Sequence, residues 1–126
     1  MKLVDTSSWI EYLRGRTSAV ADRVRDLMRE DEAAVCEMVL VELWNGAQGA
    51  AEKRALRELQ EVLPVLPINA AVWIKAMKLA QACRASGVTV PAVDVVVAAC
   101  AFHHGVELEH CDAHYGSIQT AWASAE

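Results

Sequence analysis

Lys2-Leu3-Val4-Asp5-Thr6-Ser7-Ser8-Trp9-Ile10-Glu11-Tyr12-Leu13 opens the chain and decides how the rest is read. Lys2 to Asp5 is a short apolar run of strand type. Helical signals follow at once: Ser8 and Glu11 have the S-x-x-E spacing of a capping box, Trp9, Tyr12 and Leu13 recur at helical spacing, and Gly15 is a stop. Asp5 therefore lies at the C-terminal end of a strand, in the turn into a helix, where open α/β sheets place their ligands.

Outward from this stretch the same alternation repeats. Ser18 can cap a helix carrying Val20, Val24, Leu27 and Met28 on one face, with Arg23, Arg25, Arg29 and Glu30 elsewhere. Ala33 to Cys36 predicts a second strand, and Glu37 to Trp44 a helix stopped by Asn45-Gly46. Ala51 to Val62 predicts an amphipathic surface helix ended by Pro64, with Val65-Leu66 a brief third strand. Asn69 is placed to cap a long helix over Ala70 to Ser86, with Val72, Trp73, Ala76, Met77, Ala80 and Cys83 inward and Gly87 closing it. The helix from about Ala92 to His104 is apolar all round between Val95 and Phe102 and is expected to be central. Val106 to Leu108 predicts a fourth strand, followed by Asp112, a turn at Tyr115-Gly116-Ser117 and a terminal segment containing Trp122. Strands alternating with helices predict a mainly parallel sheet covered on both faces, with right-handed crossovers.

A chain of 126 residues fits one domain, 1–126, with a single core. Ala and Val dominate its apolar residues, which suits helices packed closely on a sheet. A charge at Lys2 interrupts any secretory core, and Val95 to Phe102 is too short to span a bilayer, so a cytoplasmic protein without a membrane partner is expected. Cys36, Cys83, Cys100 and Cys111 lack C-x-x-C spacing and are expected to be buried, reduced thiols. Cys111, His110 and His114 match no strong zinc pattern. A net charge of −5 argues against nonspecific coating of nucleic acid, but a cluster of cation-binding carboxylates would account for most of it.

Four acids carry the chemistry. Asp5, Glu42 and Asp94 are flanked by apolar residues in Leu3-Val4-Asp5, Val41-Glu42-Leu43-Trp44 and Ala92-Val93-Asp94-Val95-Val96, and Asp112 follows the last strand. Singly, Asp5 and Asp94 could be helix-terminal acids, Glu42 half of a buried ion pair, and Asp112 an ordinary turn residue. Parallel strands bring Asp5 and Asp112 to one sheet edge, and Asp94 opens a helix that can point there. Two carboxylates about 4 Å apart repel by roughly 4 kcal/mol at an effective dielectric near 20, so protons or cations must compensate a cluster of four. Oxygen-only ligands favour a hard ion, Mg²⁺ with Mn²⁺ as a substitute. Such an ion binds a phosphate oxygen and acidifies water, chemistry suited to phosphodiester hydrolysis.

Val4-Asp5-Thr6-Ser7 with Trp9-Ile10, Val41-Glu42-Leu43 with Gly46, Val90-Pro91-Ala92-Val93-Asp94 running into Ala98-Ala99, and Asp112 with Tyr115 together resemble the PIN-domain endoribonucleases. Within these the chain is similar to the VapC toxins of bacterial VapBC toxin–antitoxin pairs. The resemblance runs through nearly the whole chain, in order. It implies a three-layer α/β/α sandwich, Mg²⁺-dependent cutting of transfer or ribosomal RNA, inhibition of translation, a homodimer, and an antitoxin whose C-terminal segment fills the groove. Carried over by motif, Asp5 and Asp94 become the principal metal ligands, Glu42 and Asp112 complete the catalytic cluster, and Thr6 or Ser7 positions Asp5 or a phosphate. The chain departs from the family at His110, where Thr is frequent, which leaves His110 or His114 to touch RNA.

Two other classes remain. A PIN-fold module that binds RNA or protein without cutting would keep the fold and not need all four acids. A phosphoacceptor signalling domain would need an adjacent acidic pair after the first strand and a Lys after the last, which the chain lacks. Trp9, Trp44 and Trp73 are expected in the core. Arg14, Arg16, Arg23 and Arg25 could line an RNA path or form a solvated face.

Overall fold

The computed structural model describes residues 1–125. Along the chain run β1 (Lys2–Val4), α1 (Thr6–Leu13), α2 (Ala19–Arg29), β2 (Ala33–Ala34), α3 (Glu37–Gly46), α4 (Gly49–Val62), α5 (Ala70–Ala85), α6 (Ala92–His104), β3 (Glu107–Glu109) and α7 (Ala113–Ala125). The strands form a parallel sheet in the order β2-β1-β3, with Leu3 between Ala34 and Leu108. The α/β sandwich expected from the alternating pattern is therefore observed. A parallel sheet needs apolar cover, and Leu3 and Val4 have no exposed surface.

The expected third strand at Val65-Leu66 shrinks to one parallel bridge between Val35 and Val65. The Val35 N–H donates to the Pro64 carbonyl at 3.1 Å and Leu66 N–H to the Val35 carbonyl at 2.8 Å. Pro64 and Pro67 lack the N–H that would carry the ladder further in either direction.

The helices divide by contact into α1 with α2, and α5 with α6 and α7, while α3 touches both α1 and α6. As expected, α6 is central: every residue from Val95 to Ala101 is buried. Trp9, Leu3, Leu79 and Ile118 are the largest of the fully enclosed side chains, and truncating Trp9 to Ala is expected to cost roughly 3–5 kcal/mol. Ser18 and Asn69 cap α2 and α5 through side-chain oxygens that accept the Ala21 and Val72 amides, each at 3.0 Å. No described helix is long and apolar enough to cross a membrane.

Three expectations about helices fail. The Ser8–Glu11 capping box does not form, because Asp5 is itself the N-cap of α1 and Ser8 lies inside the helix. The inward face of α5 is Val72, Ala76, Leu79, Ala82 and Cys83; Trp73, Met77 and Ala80 sit on the outside, Met77 at 67% exposure. Tyr115-Gly116-Ser117 is no turn but part of α7, a regular helix whose Tyr115, Ile118 and Ala121 are buried. Trp44 is half-buried, with its indole N–H donating to Gln60 at 2.8 Å. Trp122 stacks on Phe102 with ring centres 6.5 Å apart. Cys36, Cys83 and Cys100 are buried free thiols, but Cys111 is exposed.

Candidate active site

Asp5 leaves the C-terminal end of β1, where its own amide is held by the Glu109 carbonyl of β3 at 3.1 Å. Its extended backbone turns the carboxylate back over the start of α1, so Oδ1 accepts the Ser8 amide at 3.1 Å. The Ser7 hydroxyl donates to the same carboxylate, 3.1 Å from Oδ1 and 3.0 Å from Oδ2. Burial raises the Asp5 pKa above its ordinary value, against the lowering effect of the Ser8 amide, the Ser7 hydroxyl and the charge on His110.

Glu42 projects from the middle of α3, and its Oε1 accepts the Thr6 hydroxyl of α1 at 2.6 Å. Thr6 and Ser7, both expected to position Asp5 or phosphate, thus divide the work: Ser7 holds Asp5 and Thr6 holds Glu42.

Asp94 lies in the first turn of α6 and Asp112 just before α7. Between them stands His114, whose Nδ1 is 2.8 Å from Asp94 Oδ2 and 3.2 Å from Asp112 Oδ1. The His114 amide donates to the same Asp112 oxygen at 2.9 Å, and the Tyr115 hydroxyl donates to Asp94 Oδ1 at 3.4 Å. Donor atoms of Asp94, Asp112 and His114 all lie within 4.8 Å of one another, the one set of this kind among the described residues. This set could hold a metal ion. Unlike the four-acid, oxygen-only set expected from the sequence, this group includes the His114 nitrogen and leaves out Asp5 and Glu42.

The charges of all four acids reach one buried phenol, whose hydroxyl bonds to Asp94. The Tyr115 pKa is driven up by burial first, and then by the charges of Asp5, Asp94, Glu42 and Asp112. Among the described residues no lysine or arginine lies within ion-pairing distance of any of the four. None of the four acids therefore has a resident cation, and a divalent ion fits the set of Asp94, Asp112 and His114.

His110 is not bonded to a carboxylate: its Nδ1 accepts the Asp112 amide at 3.4 Å, and its ring lies 5.1 Å from that of Tyr115. Cys111 places its thiol 3.2 Å from the Ser7 hydroxyl. Of the arginines considered for an RNA path, Arg23 pairs with Glu109 at 2.8 Å, Arg25 with Asp22 at 2.8 Å, and Arg16 approaches Glu11 at 3.9 Å. Arg14 instead lines a groove of about 380 Å³ with Ile10, Leu13, Leu43, Leu56 and Glu42. The sequence signal for His114 and Tyr115 was helical spacing of Tyr115, Ile118 and Trp122, which places the residues after Asp112 on the first turn of a helix facing the core.

A family model described as PIN domain matches residues 2–119. Ribonuclease VapC11 of Mycobacterium tuberculosis and a VapC ribonuclease of Mycobacterium bovis are each 36% identical over 122 residues, covering 94% of this chain and 91% of theirs. Among solved structures, FitAcB from Neisseria gonorrhoeae superposes with a TM-score of 0.77 at 22% identity over 94% of both chains. VapBC2 from Rickettsia felis, bound to a DNA fragment from its promoter, superposes with a TM-score of 0.72 at 14% identity, covering 85% of this chain and 84% of that one. At these identities the structures speak for the fold alone. The matching model and the 36% identical relatives, both spanning nearly the full length, place the chain in the PIN-domain family and, within it, among the VapC ribonucleases.

Proposed function

We propose that this chain is a single PIN-like domain acting as a Mg²⁺-dependent endoribonuclease, the toxin of a toxin–antitoxin pair that inhibits translation in the cytoplasm by cutting transfer or ribosomal RNA. The carrying observation is the donor group of Asp94, Asp112 and His114, together with four acids whose charges all reach Tyr115 and none of which is paired to a lysine or arginine among the described residues. Carboxylates so placed are costly unless a cation joins them.

Asp5 and Asp94 serve as the principal ligands, with Glu42 and Asp112 completing the acidic set. Mg²⁺, with Mn²⁺ as substitute, supplies positive charge that polarises a phosphate oxygen and acidifies water. Ser7 and the Ser8 amide fix the Asp5 carboxylate, and Thr6 fixes Glu42, so two acids are oriented before substrate arrives. One of the four acids takes the proton from the attacking water. His110, beside Asp112 and Tyr115, contacts the RNA. Attack by water rather than by a ribose 2′-hydroxyl leaves 5′-phosphate and 3′-hydroxyl ends.

The antitoxin reading is supported by the groove beside Glu42, whose apolar walls Ile10, Leu13, Leu43 and Leu56 and single cation Arg14 suit a peptide segment. A homodimer is supported by exposed Trp73, Ile74 and Met77 on α5. Incubation of a structured RNA panel with Mg²⁺ and with EDTA, followed by end sequencing, tests the activity. Discrete products that vanish with EDTA and with Asp94→Asn are expected. Binding of the RNAs without metal-dependent cleavage would instead identify a silent PIN-fold module.

A further inference from the structure

We propose that His114 is a nitrogen ligand of the same centre, so that the site, which works with either ion, binds Mn²⁺ more tightly than Mg²⁺; this rests on the metal-dependent reading above. The two Nδ1 separations, 2.8 Å to Asp94 and 3.2 Å to Asp112, bracket the roughly 3 Å edge that neighbouring ligands make around one ion bound at about 2.1 Å. The imidazole nitrogen thus already stands at the spacing of an adjacent ligand position from each carboxylate, and all three donors lie within 4.8 Å of one another.

The surrounding bonds hold that arrangement. The Asp112 oxygen facing Nδ1 also accepts the His114 amide at 2.9 Å, which ties the imidazole and the carboxylate to one turn of backbone. Tyr115 bonds to Asp94 Oδ1, so Oδ2 is the oxygen left toward the imidazole. In the metal-free protein a hydrogen bond joins Nδ1 to these carboxylates. With an ion present, the other neutral tautomer carries its proton on Nε2 and presents the Nδ1 lone pair. Imidazole nitrogen discriminates in favour of first-row transition ions, whereas Mg²⁺ holds to oxygen and keeps its waters. His110 is the other imidazole nearby, but its Nδ1 is engaged with the Asp112 amide.

The full-length protein loaded with Mn²⁺ is examined by pulsed electron paramagnetic resonance, and Mn²⁺ and Mg²⁺ affinities are measured by titration and competition. Wild type and His110→Ala are expected to show ¹⁴N coupling to the ion, and His114→Ala to lose it. In His114→Ala, Mn²⁺ affinity should fall about tenfold or more while Mg²⁺ affinity changes less than about twofold. His114 is half-exposed, and circular dichroism checks that the variant stays folded. A ¹⁴N signal that survives His114→Ala, an oxygen-only signal in wild type, or an equal loss for the two ions overturns the assignment. Metal-dependent RNA cleavage by a wild type with oxygen-only coordination rejects the ligand and leaves the nuclease. A ¹⁴N-coupled ion in a protein that cuts no RNA does the reverse.

Discussion

The Thr6 hydroxyl of α1 donates to Glu42 of α3 at 2.6 Å, joining the residue after the first buried acid to the second across 36 positions of sequence. Removing that donor leaves the Glu42 carboxylate in place but without its fixed direction. Thr6→Val is expected to lower kcat about tenfold with little change in KM, and Thr6→Ser to restore most of it. Single-turnover cleavage assays check both; a Val variant as fast as wild type would mean that Glu42 needs no such anchor.

Asp5→Asn should abolish cleavage, a loss of at least about 100-fold, yet stabilise the metal-free protein. The sign follows from burial, which raises the Asp5 pKa above 3.8. A group raised in the folded state lends stability below its unfolded pKa and loses it as pH rises through the folded value. At neutral pH the wild type therefore carries a buried charge that Asn removes, while the amide oxygen still accepts the Ser8 N–H. Urea unfolding in EDTA should show the variant ahead at pH 7 and the gap narrowing as pH falls. A lower midpoint for the variant at pH 7 contradicts this account.

Arg23 reaches from α2 to Glu109, a buried carboxylate whose backbone carbonyl receives the Asp5 amide. Arg23→Met strands that carboxylate and should destabilise by about 2 kcal/mol, less than a fully buried pair because Arg23 is half in solvent. Adding Glu109→Gln should recover most of the loss. Denaturation of the four members of the cycle measures the coupling; additive effects would dismiss it.

Exposed Ile74 and Met77 on α5 lead to an expectation about assembly. Sedimentation of wild type should give twice the chain mass, and Ile74→Asp with Met77→Asp should give the monomer without unfolding. A wild-type monomer at high concentration would assign that face another role.

Asp31 is the only residue other than glycine with positive φ among those described, at 55° in the turn between α2 and β2. Asp31→Gly removes the clash of a β-carbon in that conformation and should raise stability by about 0.5–1 kcal/mol, with cleavage unchanged. Thermal melts check it; a lower melting temperature would show that the aspartate side chain stabilises the turn.

Much of the architecture was legible because it is locally encoded. Ser18 and Asn69 each precede an apolar stripe, and those helices start where the caps stand. The continuous apolar run at Val95 announces a helix enclosed on all sides. Less legible were features decided by tertiary packing. On α5 Trp73, Met77 and Ala80 were expected inward, but in a helix packed against both α6 and α7 the buried residues are Val72, Ala76, Leu79, Ala82 and Cys83, and Trp73 and Met77 face outward. Gly116 and Ser117 read as a turn, yet burial of Tyr115, Ile118 and Ala121 holds them in α7. His114 was named as a residue free to touch RNA, but until the residues after Asp112 are known to be helical, nothing in the sequence turns its imidazole toward Asp94. Asp5, Glu42 and Asp94 could be singled out because charge flanked by apolar residues is unusual, whereas Asp112 stood out only by its place after the last strand.

The acidic quartet is drawn from positions 5, 42, 94 and 112, and the phenol that all four charges reach belongs to the last helix. A chain in which α7 has not yet docked therefore holds no complete cutting centre, however well its other helices have formed. Docking of that helix, and not the formation of any earlier one, is thus the step that completes the cutting centre.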